Sequence, residues 1–219
     1  MTKCKFEKIE KNHPLFTDVL ALRYRIYCEQ RGFENPEDYP DGLERDVSDE
    51  HAVHFAAIHN ETNEVLGTIR LILKSPDGFP IENHFKFDKD TSYIKKDNIG
   101  EVSRLAVNSE ACRELWRKVT SKRDGMTQAK GNPEADMIAG LIRCIVIECR
   151  DRGITHLYAV MARALFVILK RRKIVFPRIG PEIDYHGMRA PYFGLLENII
   201  MGNDDLYRAF SAGRAVAAA

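Results

Sequence analysis

A long amphipathic helix lies between two short apolar strands in this sequence, and that order leaves few folds open. Asn132 followed by Pro133 predicts the start of the helix, and Gly153 predicts its end. The strand EVSRLAV (101–107) precedes the helix, and THLYAV (155–160) follows it. A strand, a helix and a second strand predict one parallel pair of strands. The apolar residues that repeat at helical spacing are Met137, Ile138, Leu141, Ile142, Ile145, Val146 and Cys149.

The remaining segments predict a mainly antiparallel arrangement. A helix is expected from Pro14 to Gly32, with one apolar stripe. A hairpin is expected from 52–59 and 65–73, and a shorter helix over 162–172. Two strands follow, the last of them over 190–198, so the fold class is mixed α/β (α+β) with a mostly antiparallel sheet flanked by helices. The stripe consists of Leu15, Val19, Leu22 and Ile26.

Length and charge set further bounds. We expect one domain over residues 1–210 and a disordered tail over 211–219, within a chain of 219 residues. The formal charge of +1 favours no polyelectrolyte partner such as nucleic acid. Five cysteines without a CxxC pair predict reduced thiols, a cytoplasmic location and no metal site. No segment approaches the roughly 18 consecutive apolar residues of a membrane span, so we expect no stable membrane insertion.

Charged residues in apolar strands are the first candidates for a functional site. Glu101 and Arg104 flank the start of a buried strand, where a charge is costly unless it is paired or used. Residues three apart in a regular strand point to opposite faces, so a shared site requires an irregularity near Ser103. An ion pair at the edge of the core, made with other partners, is the alternative interpretation.

An acidic loop supplies the second group of candidates. Asp46 and Asp49 form a D-x-x-D pattern that suits a cation, a substrate ammonium or an arginine. Arg70 lies in the middle of the strand VLGTIRLIL and needs a carboxylate partner. We therefore expect Arg70 to pair with this loop, although a solvated acidic loop remains the alternative.

Two basic segments and one helix face complete the candidates. Arg23 and Tyr27 recur at helical spacing beside the apolar stripe, facing either a cleft or the sheet. The basic segments are either solvated faces or sites for an acidic partner. The first segment contains Arg113, Arg117, Lys118 and Lys122, and the second contains Arg163, Arg171, Arg172 and Lys173.

The segments ALRYRIYCEQRGF, ERDVSD, GTIRLIL and EVSRLAV resemble, in order and spacing, the autoinducer (acyl-homoserine-lactone) synthase family. YRIYCEQRGFE, IGPEIDYHG and RAPY resemble more closely the acyltransferases of bacterial PEP-CTERM/exosortase systems, which are similar to N-acyl amino acid synthases. The resemblance implies a GNAT-like acyltransferase fold. The residues that match the family signature are Arg23, Tyr27, Phe33, Asp46, Asp49, Arg70, Glu101 and Arg104.

The resemblance also implies roles for these residues. Glu101 would act as the base or position the amine, and Arg104 would orient the acyl chain or hold Glu101. Asp46, Asp49 and Arg70 would shape the acceptor site together with Ser103, while Arg23 would contact a phosphate or brace this network. Tyr27 and Phe33 would line the cleft.

The donor implied by the resemblance is an acyl carrier protein. The loop R/Q-x-x-G-x-G/A, with which ordinary GNAT enzymes hold coenzyme A, does not follow EVSRLAV. A phosphopantetheine thioester of acyl carrier protein is therefore favoured as donor, acyl-CoA being possible, and no cofactor is expected to be permanently bound. The two basic segments would dock the carrier protein, and the second substrate would be a small amine.

Three other functions stay open at this point. Tyr27 and Phe33 replace the Phe and Trp that homoserine-lactone synthases usually have, but lactone synthesis from S-adenosylmethionine remains the nearest alternative. A coenzyme A-dependent acetyltransferase is the second alternative. A non-catalytic module that docks an acidic partner is the third.

Overall fold

The structure, a computed structural model, describes residues 4–120 and 132–212, without the side chains of residue 116 and residues 118–120. Seven strands form one sheet in the order β1-β2-β3-β4-β5-β7-β6. Their bounds are β1 Cys4–Ile9, β2 Ala52–His59, β3 Val65–Ile72, β4 Ile99–Val107, β5 His156–Met161, β6 Ile183–Asp184 and β7 Met188–Leu195.

Helices connect and flank the strands. Short 3₁₀ turns occupy Pro36–Asp38, Val47–His51 and Lys96–Asn98, and a π-helix covers Arg25–Gln30. Within the two described stretches, none of the helices has both the length and the apolar character that a membrane crossing requires. The α-helices are α1 Phe16–Tyr24, α2 Pro80–His84, α3 Ser109–Thr120, α4 Pro133–Arg152, α5 Arg163–Arg171, α6 Leu196–Ile200 and α7 Asp204–Ser211.

The strand pairing confirms the predicted mixed and mostly antiparallel sheet. β4 and β5 are parallel, and Glu101 lies opposite Tyr158 in their register. β1 pairs with β2, and β7 pairs with β5 and β6, in antiparallel orientation. The predicted helix between the parallel strands is present as α4, and the Asn132 side chain caps it by accepting the N–H of Glu134 at 3.1 Å.

Other predictions need correction. The strand expected over 190–198 ends at Leu195, because the next residues turn into α6. Strand β1 and helices α2, α3 and α7 were not predicted at all. Ser211, the first residue of the predicted tail, belongs to α7, while residues 213–219 lie outside the described part of the chain.

The chain divides into two compact units. The first comprises Met1–Arg45, His54–Ile69 and Arg104–Ile142. Its core joins the apolar stripe of α1 to strand residues, and the helix predicted from that stripe is present. The buried members of this core are Ile9, Val19, Leu22, Ile26, Ala56, Ile58, Val65 and Ala106.

The second unit comprises Asp46–Val53, Arg70–Ser103 and Arg143–Ala219. Aromatic rings form much of its core. Tyr158 is fully buried, its ring centroid lies 4.5 Å from that of Phe193, and Phe79 packs edge-on against it at 5.6 Å. The core consists of Ile72, Phe79, Ile81, Phe85, Ile99, Tyr158, Ile179 and Phe193.

The contact between α4 and β1 generates a prediction for stability. A Cβ atom added at Gly140 would overlap the ring of Phe6. Gly140→Ala should therefore lower the free energy of unfolding by about 1–3 kcal/mol, as overpacking does, although alanine favours helices. Urea denaturation measures this change. In a Phe6→Ala background the penalty should disappear, and an equal penalty in both backgrounds would contradict the contact.

Candidate functional site

Arg70 lies at the centre of a charged cluster in the second unit. Its side chain is 2% exposed, and Nη1 donates to Asp46 Oδ1 at 2.7 Å and to Asp49 Oδ1 at 2.5 Å. Nη2 donates to Asp46 Oδ2 at 2.9 Å, and Nε donates to Ser103 Oγ at 3.0 Å. The predicted pairing of Arg70 with the acidic loop is therefore present, and it involves both aspartates.

The D-x-x-D pattern builds this cluster locally. Asp46 caps the 3₁₀ turn Val47–His51 by accepting the N–H of Ser48 at 2.9 Å. The N–H of Asp46 in turn donates to Asp49 Oδ2 at 2.8 Å, so that the two side chains cap each other's backbone. The turn thus holds both side chains where Arg70 contacts them, Asp46 through both carboxylate oxygens and Asp49 through Oδ1.

Glu101 is the buried carboxyl group of the same unit. It is 4% exposed, and its Oε2 accepts the N–H of Ile81 in α2 at 3.1 Å. Burial raises the pKa of Glu101 to about 7, because a charged carboxylate is poorly solvated there. The N–H of Ile81 and the Arg70 cation oppose this shift, whereas the neighbouring carboxylates of Glu82 and Asp46 add to it.

Sequence reasoning missed the residues around Glu101. Tyr158 is its register partner on β5 and donates its hydroxyl to Thr91 Oγ1 at 2.7 Å and to Glu82 Oε1 at 3.4 Å. Burial raises the pKa of Tyr158 to about 12. The signal for α2 was present, because Pro80 followed by Glu82 is typical of a first helical turn.

A second charged cluster lies in the first unit. Arg23 is 1% exposed, and its Nε donates to Glu44 Oε2 at 2.5 Å. The other oxygen of Glu44 accepts Nε of Arg104 at 3.1 Å, and Arg104 Nη2 donates to Glu34 at 3.1 Å. Glu44 is fully buried between two guanidinium groups, which favours a bracing role for Arg23. Glu44 and Glu34 belonged to the acidic loop, but their sequence spacing gives no sign of this pairing.

The aromatic residues of the family signature belong to this second cluster. Tyr27 lies in the π-helix. The carbonyl oxygen of Tyr27 accepts hydrogen bonds from the N–H groups of Phe33 at 2.7 Å and Glu34 at 3.2 Å. The Tyr27 hydroxyl donates to the Leu105 carbonyl at 3.0 Å, and the guanidinium of Arg104 lies 5.4 Å from the Tyr27 ring centre. The Phe33 ring packs 6.0 Å from that of Tyr27.

Strand β4 is irregular where the sequence required it. Arg104 has φ of +49°, a left-handed conformation that non-glycine residues rarely adopt. The regular alternation of side chains therefore breaks at the residue after Ser103. Glu101 and Ser103 belong to the second unit and Arg104 to the first, so a single site served by both ends of E-x-x-R stays a prediction.

The predicted docking residues lie on or next to two helices. Arg113 and Arg117 are exposed on α3, whereas the side chain of Lys118 and the whole of Lys122 lie outside the described residues. In the second segment, Arg163 begins α5, Arg171 ends it, and Arg172 and Lys173 follow it. The exposed residues are Arg163, Arg171 and Lys173, and the half-buried residue is Arg172.

Comparison with known proteins identifies the fold. Residues 22–118 match the model of the acetyltransferase (GNAT) domain family. A search of curated protein sequences finds no match to this chain.

Several solved structures share this fold. TofI, solved with an inhibitor and MTA, superposes with a TM-score of 0.67 at 16% identity, over 90% of this chain and 95% of that one. BjaI, a CoA-dependent acyl-homoserine lactone synthase solved with SAM and isopentyl-CoA, gives 0.61 at 20% identity, over 97% and 90%. FeeM, an N-acyl amino acid synthase from uncultured soil microbes, gives 0.57 at 14% identity, over 92% and 95%. The predicted GNAT-like fold is confirmed.

The buried ion pairs of Arg70 generate a prediction for stability. Arg70→Ala should lower the free energy of unfolding by about 3–5 kcal/mol, because two carboxylates would lose their buried cation. Asp49→Asn should cost more than Asp46→Asn, since Asp49 is 8% exposed and Asp46 is 26% exposed. Chemical denaturation of the three variants measures these differences.

Lys74→Ala is the matched control, because Lys74 makes an exposed ion pair with Asp97. Its effect should stay within about 0.5 kcal/mol. Equal losses for Arg70→Ala and Lys74→Ala would show that the Arg70 cluster does not stabilise the fold.

Proposed function

We propose that this chain, which contains a GNAT domain and has the fold of the autoinducer synthases, is an N-acyltransferase. It moves a fatty acyl group from the thioester of an acyl carrier protein to the amine of an amino acid or an amino-acid-derived acceptor. The observation that carries the proposal is Glu101, a buried carboxyl group with a pKa of about 7 beside the Arg70 cluster. A general base is most effective when its pKa lies near the working pH.

The reaction requires one proton transfer on each side of the acyl group. The acceptor ammonium first releases one proton to solvent. The neutral amine nitrogen then attacks the thioester carbon and loses its second proton to Glu101, so that a C–N bond forms as the C–S bond breaks. The thiolate of the donor arm then leaves and takes up a proton. The oxyanion that forms at the carbonyl needs hydrogen-bond donors, and in this proposal the backbone at the irregularity of β4 next to Ser103 supplies them.

The remaining signature residues position the reactants in this proposal. Asp46 and Asp49 hold Arg70, which keeps a permanent cation near Glu101. Arg104 orients the acyl chain, while Glu44 and Arg23 brace its guanidinium from the buried side. Tyr27 and Phe33 supply apolar surface to the substrates.

The donor is the least constrained part of the proposal. Exposed arginines on α3 and α5 suit the acidic surface of an acyl carrier protein. Acyl-CoA is the alternative donor, because BjaI was solved with isopentyl-CoA. Lactone synthesis from S-adenosylmethionine is the alternative reaction, because BjaI was solved with SAM and TofI with MTA.

Mass spectrometry of lipid extracts from cells that express the chain tests the reaction. N-acyl amino acids are the expected products, and acyl lactones would replace the proposal with autoinducer synthesis. The absence of any new acyl product, together with the absence of turnover in vitro on both donors, would leave a non-catalytic module as the explanation.

Replacing Glu101 separates catalysis from stability. Glu101→Gln should reduce kcat by about 10²–10⁴-fold, because the base is lost. In the wild type, kcat/KM should rise with increasing pH, and the midpoint of the rise should lie near pH 7, where Glu101 ionises. Glu61→Gln, an exposed change in the turn between β2 and β3, is the control and should leave both quantities unchanged.

The same variant should be more stable than the wild type at pH 8. The folded pKa of Glu101 lies above the ordinary value of 4.5, so the folded protein holds the proton more tightly than the unfolded chain. The free energy of unfolding of the wild type should therefore fall by about 3 kcal/mol as the pH rises from 4.5 to 7. Chemical denaturation at pH 4 and at pH 8 should show a higher free energy of unfolding for Glu101→Gln than for the wild type at pH 8 alone. A loss of stability at pH 8 would contradict the raised pKa of Glu101.

Docking of an acidic carrier protein predicts a dependence on salt. Turnover with acyl carrier protein should fall steeply between low and moderate salt, since screening acts over about 8 Å at physiological ionic strength. Arg171→Glu with Arg172→Glu, or Arg117→Glu with Lys118→Glu, should raise KM for the carrier protein and leave kcat nearly unchanged. Steady-state kinetics with acyl carrier protein and with a short pantetheine thioester measures both effects.

The short thioester should be insensitive to these changes. Arg208→Glu on α7 is a matched control, because its side chain is 77% exposed and lies outside both basic segments. If neither pair of variants changes the kinetics, or if acyl-CoA is used equally well at every salt concentration, the donor is coenzyme A.

A further inference from the structure

A pocket of about 490 Å³ opens within the second unit, beside the residues that surround Glu101. Its volume lies in the range that small ligands occupy. Residues Glu82 to Lys96 supply the whole lining. The walls combine two chemical characters, since Phe87 and Ile94 are apolar, whereas Glu82, Lys95 and Lys96 carry charges of both signs.

An ion pair already occupies the charged wall. The ammonium group of Lys96 contacts Glu82 Oε1 and lies 5.7 Å from the centre of the Phe79 ring. Glu82 is fixed in place from two further directions. Its Oε2 accepts the N–H of Phe79 at 3.2 Å, and its Oε1 accepts the Tyr158 hydroxyl at 3.4 Å. The carboxylate is therefore a preorganised acceptor for a primary ammonium group.

The arrangement favours a zwitterionic ligand over other charge types. A purely cationic amine would displace Lys96 from Glu82 and leave the lysine without its counter-ion. A purely anionic ligand could contact Lys89, Lys95 and Lys96, but if it took Lys96 it would leave Glu82 without its counter-ion. A ligand with both charges can insert into the pair, so that one ion pair becomes two and no charge loses its partner.

We propose that this pocket binds the acceptor as an α-amino acid with a free carboxylate. The acceptor ammonium contacts Glu82, its carboxylate contacts Lys96 and Lys95, and its apolar side chain packs on Phe87 and Ile94. The inference rests on the proposed N-acyltransferase function and names its acceptor class and the site that recognises it.

The position of the pocket suits this role. Glu82 directly follows Ile81, whose N–H lies 3.1 Å from Glu101 Oε2. Tyr158 touches Glu82 with its hydroxyl and is the register partner of Glu101. An ammonium bound at Glu82 would therefore lie next to the backbone of Ile81, which contacts Glu101, and next to the side chain of Tyr158, which is the neighbour of Glu101 in the sheet.

Binding to the purified chain tests the inference without any acyl donor. Isothermal titration with L-phenylalanine and with L-phenylalaninamide compares an acceptor that has a carboxylate with one that lacks it. The amide should bind about tenfold or more weakly, because the carboxylate contact is lost. Lys96→Gln should weaken the binding of L-phenylalanine about tenfold. It should not weaken the binding of the amide, because this cation no longer has to displace a lysine from Glu82. Lys96 is 43% exposed on its side chain, so the variant is expected to fold.

Lys74→Gln is the matched control, since Lys74 is an exposed lysine outside the pocket lining. Equal binding of the acid and the amide, no binding of either, or equal effects of the two lysine variants would overturn the inference. Competition by inorganic phosphate at Lys96, with a raised KM for the donor alone, would also overturn it and assign the pocket to the donor arm.

The two proposals fail in different ways. If the wild type acylates L-phenylalanine and Lys96→Gln does not change the KM for this amino acid, the pocket assignment is wrong and the acyltransferase function stands. Zwitterion-selective binding without acyl transfer to any amine would retain the pocket and remove the acyltransferase proposal.

Discussion

The guanidinium groups of Arg70 and Arg23 are buried, and each of the two charged clusters has to supply carboxylates that balance one of these cations. An arginine side chain stays protonated, so its burial is tolerated only when carboxylates surround it. Asp46 and Asp49 fulfil this requirement for Arg70, and Glu44 fulfils it for Arg23. The loops that carry these acids are therefore attached to the buried arginines by ion pairs.

The pairing of Arg70 explains the behaviour of Glu101. The guanidinium donates hydrogen bonds to Asp46, Asp49 and Ser103, and its charge is shared between the two aspartates. Glu101 is a further carboxyl group in the same unit, and the attraction of Arg70 does not offset its loss of solvation. Glu101 therefore takes up and releases its proton near pH 7.

The sequence predicts the elements whose patterns are local. Helix α4 has its cap, its apolar stripe and its terminal glycine within one segment, and the hairpin of β2 and β3 has a buried, mostly apolar run on each side of one turn. Strand β1 was missed because Lys5 and Lys8 interrupt its apolar pattern, and its pairing with β2 joins residues about fifty positions apart. α3 was missed because Cys112 and Leu115 are few apolar residues in a strongly charged segment.

The acidic residues of the two clusters show why residue type alone does not assign a role. Asp49 is buried against a cation and serves as its counter-ion, whereas Glu44 is buried between two cations. Glu101 is equally buried, but it accepts a backbone N–H, and burial raises its pKa to about 7. Glu82 is partly exposed and binds an ammonium group. Four carboxyl groups of similar intrinsic acidity thus differ in charge and in partners through their surroundings, and the proposed roles of base for Glu101 and ligand contact for Glu82 depend on this difference. These surroundings arise from contacts between distant segments, which spacing along the chain does not reveal.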